Sequence, residues 1–106
     1  MAASWRTPIL LAPTAYHKLA HAEGEIATAR GAAAAGALMV VSTSATTSLE
    51  DVASAAPGPK WFQLYVQPDR DFTHELIRRA EAARYEVLVV TVDSNSDCAI
   101  FSPLAL

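Results

Sequence analysis

The sequence has very little cysteine: Cys98 is the only one among 106 residues. A single thiol can form no disulfide within the chain, and it has no second cysteine with which to build a thiolate metal site. The composition therefore gives no sign of a disulfide-stapled secreted domain. We expect a reducing, cytoplasmic setting.

Basic residues and long apolar runs are also scarce. The eight Lys and Arg are outnumbered by 11 Asp and Glu, the net charge is −3, and Arg78 and Arg79 form the one basic pair. This pattern argues against a nucleic acid partner. The longest uncharged run, residues 31–49, contains Ser and Thr in its second half, so it does not match a membrane span of about 20 apolar residues. Residues 1–16 carry one Arg and an apolar stretch broken by prolines, which is not the pattern of a secretion signal.

Four apolar runs of strand length are present instead. They are PILLA at 8–12, LMVVS at 38–42, WFQLYV at 61–66 and VLVVTV at 87–92. Their starts lie roughly 22 to 30 residues apart, which leaves room for a helix and two loops between neighbouring runs. The pattern predicts β-α-β-α-β-α-β with a parallel sheet, as one small domain or part of a larger one.

Each of the three intervening segments contains helix signals. The first predicts a helix over residues 23–35, with acids at its start and glycine at its end. The second begins with Thr47 or Ser48 ahead of two acids, a capping pattern, and ends at PGP over 57–59. The third, after Pro68, has an apolar stripe that should cover one face of the sheet. The stripe consists of Phe72, Leu76, Ile77 and Ala80.

The loops that follow the strands carry the candidate chemistry, because the carboxyl ends of parallel strands face the ligand in α/β folds. These loops are rich in hydroxyls and amides and poor in cations, and the sequence has no glycine-rich phosphate loop. Alternation along the third strand places Gln63 and Tyr65 on one face and Phe62 and Leu64 on the other. The loops therefore suit a polar, aromatic ligand better than bare phosphate.

Four segments together resemble the FMN-dependent 2-hydroxy-acid oxidases and dehydrogenases, the family that includes glycolate oxidase, lactate oxidase and mandelate dehydrogenase. The segments are PILLAPTAYHKLAHAEGEIATAR, GALMVVSTSATTSLEDVA, PGPKWFQLYVQPDR and RRAEAARYEVLVVTVD, and they occur in the family's order and at its spacing. They cover about residues 7–94. The resemblance implies an α/β fold, part of a (β/α)8 TIM barrel, with about the first four strands and three helices.

The resemblance also implies which residues bind FMN. The backbone of Thr14 and Ala15 would lie along the flavin ring. The side chains of Ser42, Gln63 and Thr91 would hydrogen-bond the polar edge of that ring.

Two further residues acquire catalytic roles from the resemblance. Tyr65 would point at the substrate, a small 2-hydroxy acid, and help to hold its carboxylate or developing oxyanion. Asp93 would pair with the base histidine, orient it and stabilise its positive charge. Without the resemblance, Gln63 and Tyr65 could equally belong to an ordinary strand face.

Several expected parts of the family pattern have no counterpart in these 106 residues. The base histidine, the substrate-binding arginine, the lysine near the flavin and the phosphate site come from later strands in the family. After TVD the family usually continues with a proline and a basic loop, whereas this chain reads SNSDCAIFSPLAL. We therefore expect a partial barrel over residues 1–94 and a divergent tail over 95–106. Arg84 stands where the family has a glycine, and Gly31 interrupts a helix that prefers alanine.

These observations lead to one expected function and two alternatives. The expected function is that of a fragment of an FMN-dependent oxidoreductase that converts a 2-hydroxy acid to a 2-oxo acid, inactive without the missing segment. The first alternative is a non-catalytic half-barrel that associates with itself or with a separate second half. The second is a small stand-alone flavin binder, against which the missing phosphate site argues. No membrane partner is expected. The histidines at 17 and 21 are interpreted as loop packing, and His74 as surface.

Overall fold

A computed structural model describes residues 6–92. The strands in this range are β1 (Leu10–Leu11), β2 (Leu38–Ser42), β3 (Lys60–Tyr65) and β4 (Val87–Thr91). They lie side by side in chain order, and each neighbouring pair is parallel. The predicted parallel sheet is confirmed. Strand β1 is shorter than the predicted run over 8–12, because only two of its residues pair with β2.

The three predicted helices are α1 (Gly24–Ala35), α2 (Leu49–Ala55) and α3 (Arg70–Ala82), and a short 3-10 turn occupies His17–Leu19. Ser48 caps α2, because its side chain accepts a hydrogen bond from the amide of Asp51. Helix α1 ends at Gly36, which has a φ of 68°. This left-handed conformation suits glycine and explains the stop.

All three helices pack on one face of the sheet, which we call the helix face. On β2 and β3 this face carries Met39, Val41, Phe62 and Leu64, all of them buried. They form one core with alanines of α1, with Leu49 and Val52 of α2, and with Leu76 and Ala80 of α3. Burial of this apolar surface is the main force that holds the helices on the sheet.

The apolar stripe predicted for α3 is only partly buried. Leu76 and Ala80 are in the core, but Phe72 is 48% exposed, so its prediction as a sheet-facing residue was wrong. The first turn of α3 is anchored by a polar residue instead. Thr73 is buried, and its hydroxyl both accepts from the amide of Gln67 at 2.9 Å and lies within hydrogen-bonding distance of backbone carbonyls.

The helix face is uncovered at β4. Leu88 is 38% exposed and Val90 is 46% exposed, whereas the matching side chains of β2 and β3 are buried. The opposite face of the sheet, which we call the inner face, carries Ser42, Gln63, Tyr65 and Thr91 near the carboxyl ends of the strands. Among the helices described, none combines the length and the apolar character needed to cross a bilayer.

Candidate functional site

Three polar side chains on the inner face form a hydrogen-bonded row across β2, β3 and β4, which we call the polar row. Gln63 lies at its centre and is 2% exposed. The Oε1 atom of Gln63 accepts from the hydroxyl of Ser42 at 3.4 Å, and its Nε2 donates to Thr91 Oγ1 at 2.8 Å. The structure thus brings together the three residues that the resemblance assigned to the edge of the flavin ring.

The strand register explains why these residues meet. Ser42 pairs with Gln63, and Thr91 pairs with Tyr65, which follows Gln63 by two positions on the same face. Tyr65 is half-buried at the carboxyl end of β3. The row therefore ends beside the tyrosine that the resemblance placed near the substrate.

Thr43 supports the polar row from the loop after β2, and no feature of the sequence distinguishes it from its neighbours. Its hydroxyl donates to the backbone carbonyl of Gln63 at 2.5 Å and accepts from the amide of Tyr65 at 3.1 Å. Its own amide donates to Gln63 Oε1 at 3.3 Å. Thr43 lies in STSATTS, a run of seven residues with six hydroxyls. Composition alone does not show which of these hydroxyls contacts Gln63.

Thr14 and Ala15 lie in the loop after β1 and are exposed. Tyr16, the next residue, has a φ of 56°, and its amide donates to the carbonyl of Ser44 at 3.2 Å. This bond ties the loop after β1 to the loop after β2. Both loops therefore stand at the same end of the sheet as the polar row.

A buried carboxylate lies beneath these two loops. Glu25, in the first turn of α1, is 1% exposed, and it accepts hydrogen bonds from His17, Thr46 and Thr47. Burial raises the pKa of Glu25, but the hydrogen bonds from Thr46 and Thr47 and from its own amide outweigh that effect and lower the pKa to about 2. The sequence indicated only an acid near a helix start, because the partners of Glu25 are distant along the chain.

His17 makes a local side-chain contact, and His74 lies at the surface. His17 Nδ1 lies 3.0 Å from the hydroxyl of Thr28, and His74 is exposed on α3. Within residues 6–92, no three acidic, histidine or cysteine side chains are grouped as a metal ion would require. Asp93, the predicted partner of a base histidine, and the predicted tail at 95–106 lie outside the described residues.

The sequence matches one family model and the sequences of related proteins. A family model described as FMN-dependent dehydrogenase matches residues 1–98. The chain is 51% identical over 88 residues to the L-lactate oxidase of Alicycliphilus denitrificans, covering 83% of this chain and 24% of that protein. It is 54% identical over 87 residues to the glycolate oxidase of Spinacia oleracea, covering 82% of this chain and 24% of that protein.

Solved structures show the same similarity in three dimensions. The structure superimposes on that of a mandelate oxidase with (S)-4-hydroxymandelic acid with a TM-score of 0.81 and 44% sequence identity. The superposition covers 84% of this chain and 25% of that chain. The chain therefore spans about a quarter of the length of the relatives that it matches.

Proposed function

Because this chain belongs to the family of FMN-dependent 2-hydroxy-acid oxidases, we propose that it forms one part of a site in which FMN oxidises a small 2-hydroxy acid to a 2-oxo acid. The observation that carries the proposal is the polar row of Ser42, Gln63 and Thr91 at the carboxyl edge of a parallel sheet. This edge is where α/β enzymes of the barrel type place their ligands.

The chemistry of the polar row fits the flavin ring. The polar edge of a flavin presents carbonyl oxygens and an N–H group, so it needs both donors and acceptors. The row supplies an amide and two hydroxyls, all of them neutral, and Gln63 Nε2 has a second hydrogen beyond the one given to Thr91. FMN bound there would take up the two electrons that leave the substrate.

We assign the remaining roles from the same family relationship. The backbone of Thr14 and Ala15 contacts the flavin ring, and Tyr65 binds the substrate carboxylate or the developing oxyanion. Asp93 orients the histidine that removes the substrate proton, a histidine that the complete barrel supplies from a later strand. The position of Tyr65 next to Thr91 in the strand register supports a substrate that lies beside the flavin edge.

A chimera tests this function. The matching 88-residue segment of the Alicycliphilus lactate oxidase would be replaced by the corresponding segment of this chain, which is 51% identical. We expect the purified chimera to retain FMN and to oxidise L-lactate. A chimera that folds but carries no flavin would contradict the proposal.

The 106-residue chain by itself should not turn over substrate, because its sequence contains no segment that matches the base histidine, the arginine or the phosphate site. Mixed with FMN and lactate, glycolate or mandelate under anaerobic conditions, the chain should leave the flavin absorbance unchanged. Bleaching of the flavin would show that the 106 residues already hold a complete catalytic set.

A second candidate function is that of a half-barrel that associates with a second copy of itself. The specific observation is the helix face of β4, where Leu88 and Val90 are exposed although the same face of β2 and β3 is covered by helices. In the described range, β1 and β4 each pair on one side only, which leaves two open sheet edges.

Sedimentation velocity separates this candidate from a monomer. Val90→Lys places a charge on the exposed helix face and should shift a dimer to monomer. The matched control is Leu19→Lys, which changes an apolar residue that is 87% exposed on the 3-10 turn after β1. A wild-type chain that sediments as a folded monomer rules out self-association.

A further inference from the structure

Glu25 joins the loop after β1 to the loop after β2. Its Oε1 accepts from the amide of His17 at 3.3 Å and from the amide of Thr46 at 2.7 Å. Its Oε2 accepts from the hydroxyl of Thr46 at 2.7 Å and from the hydroxyl of Thr47 at 2.9 Å. One carboxylate on α1 thus holds donors from two loops that are separated by almost 30 residues.

The two loops are also bonded to each other around this carboxylate. The amide of Tyr16 donates to the carbonyl of Ser44 at 3.2 Å, and the amide of Lys18 donates to the hydroxyl of Thr46 at 3.2 Å. The Tyr16 to Ser44 bond contains no partner of Glu25, whereas the Thr46 hydroxyl that accepts from Lys18 also donates to Glu25. The Tyr16 amide therefore reports on loop contact that Glu25 does not make itself.

The donors around Glu25 favour an ionised carboxylate. Two backbone amides face its Oε1, and two hydroxyls donate to its Oε2. A glutamine of the same shape carries no charge, and its Nε2 would require the hydroxyls of Thr46 and Thr47 to accept instead of donate, although the Thr46 hydroxyl already accepts from the amide of Lys18. The low pKa of Glu25 agrees with this arrangement, since hydrogen bonds to the charged form favour it.

We propose that Glu25 is a positioning residue that locks the loop after β1 against the loop after β2. Thr14 and Ala15 directly precede the locked segment, so the lock fixes the backbone that contacts the flavin; this last step rests on the proposed function. Glu25 itself lies below the loops and is 1% exposed, so it acts through them.

Amide hydrogen exchange of the 106-residue chain tests the lock without any flavin. The measured quantity is the exchange rate of the Tyr16 amide relative to that of the Phe62 amide in the central strand β3. In Glu25→Gln we expect this ratio to rise by about tenfold or more, because local opening of the loops is separable from global unfolding. A uniform loss of stability would raise both rates together.

Glu50→Gln is the matched control. Glu50 also lies in the first turn of a helix, and its pKa is also lowered to about 2, but its carboxylate pairs with Arg79 on α3. This variant should leave the Tyr16 to Phe62 ratio unchanged. An unchanged ratio in Glu25→Gln as well would overturn the proposal.

If Glu25→Gln does not fold, Thr47→Val decides the question. This change keeps the carboxylate and the side-chain shape but removes one of the donors to Oε2. We expect the ratio to rise about threefold or more, in line with the loss of one charge-assisted hydrogen bond; no rise would overturn the lock. Because the exchange experiment needs no cofactor, its failure is distinct from a failure of the chimera to bind FMN.

Discussion

The stability of this chain should fall steeply in acid, and Glu25 should be the main cause. Its carboxyl has a pKa of about 2 in the folded chain against 4.5 as the ordinary value. This gap corresponds to about 3 kcal/mol of folding free energy for a single buried group. Since the pKa is depressed on folding, the contribution is present above pH 4.5 and is lost as the pH falls toward 2.

The assay is urea unfolding followed by circular dichroism at pH 7, 4 and 3. The wild-type chain should lose most of this contribution across the acid range. Glu25→Gln should be less stable at pH 7 and should show a flatter acid dependence, because the group that titrates is gone.

Glu50→Gln separates the two glutamates with low pKa values. The guanidinium of Arg79 holds the pKa of Glu50 at about 2, but both side chains are more than a third exposed, so solvent screening reduces the benefit of the pair. The stability of Glu50→Gln should therefore fall with decreasing pH almost as steeply as that of the wild type. An acid slope in Glu25→Gln as steep as the wild-type slope would refute the reasoning about the buried carboxylate.

Three smaller changes in stability are expected from the same urea assay at neutral pH. Gly31→Ala should stabilise α1 by about 0.5–1 kcal/mol, because the site is exposed and no heavy atom lies within 4 Å of an added Cβ; a loss would contradict this. Arg84→Gly should stabilise the end of α3 by about 1 kcal/mol, because Arg84 has a φ of 63°; an unchanged midpoint would argue against strain there. Ser48→Ala should destabilise the chain by about 1 kcal/mol through loss of the α2 cap, and Ser48→Thr, which keeps the hydroxyl, should cost less.

Local sequence signals predicted the elements of the fold well. The run LMVVS marks β2 with its observed bounds, and Ser48 marks the start of α2. Both predictions agree with the structure, because a buried parallel strand needs continuous apolar residues and a helix start needs an acceptor for its free amides. Phe72 was misplaced because helical spacing indicates a shared stripe without showing how far that stripe extends over the sheet.

Contacts between distant segments were harder to predict. Alternation along β3 places Gln63 and Tyr65 on one face, but only the register shows that Ser42 and Thr91 lie beside them. Glu25 was not recognised, because an acid in the first turn of a helix already has a local explanation in the helix dipole. Its hydroxyl partners lie 21 and 22 residues away, a separation that no local pattern encodes.

The central claim is that the polar row forms the flavin edge of a 2-hydroxy-acid oxidase, and FMN affinity in the lactate oxidase chimera tests it most directly. Gln63→Leu should weaken FMN binding by about tenfold or more, because it removes the amide at the centre of the row. Gln67→Leu, the same change in the loop after β3, removes a hydrogen bond to the Tyr65 carbonyl but none within the polar row, so it should bind FMN like the unmodified chimera. A Gln63→Leu chimera that binds FMN as tightly as the Gln67→Leu and unmodified chimeras would contradict the account.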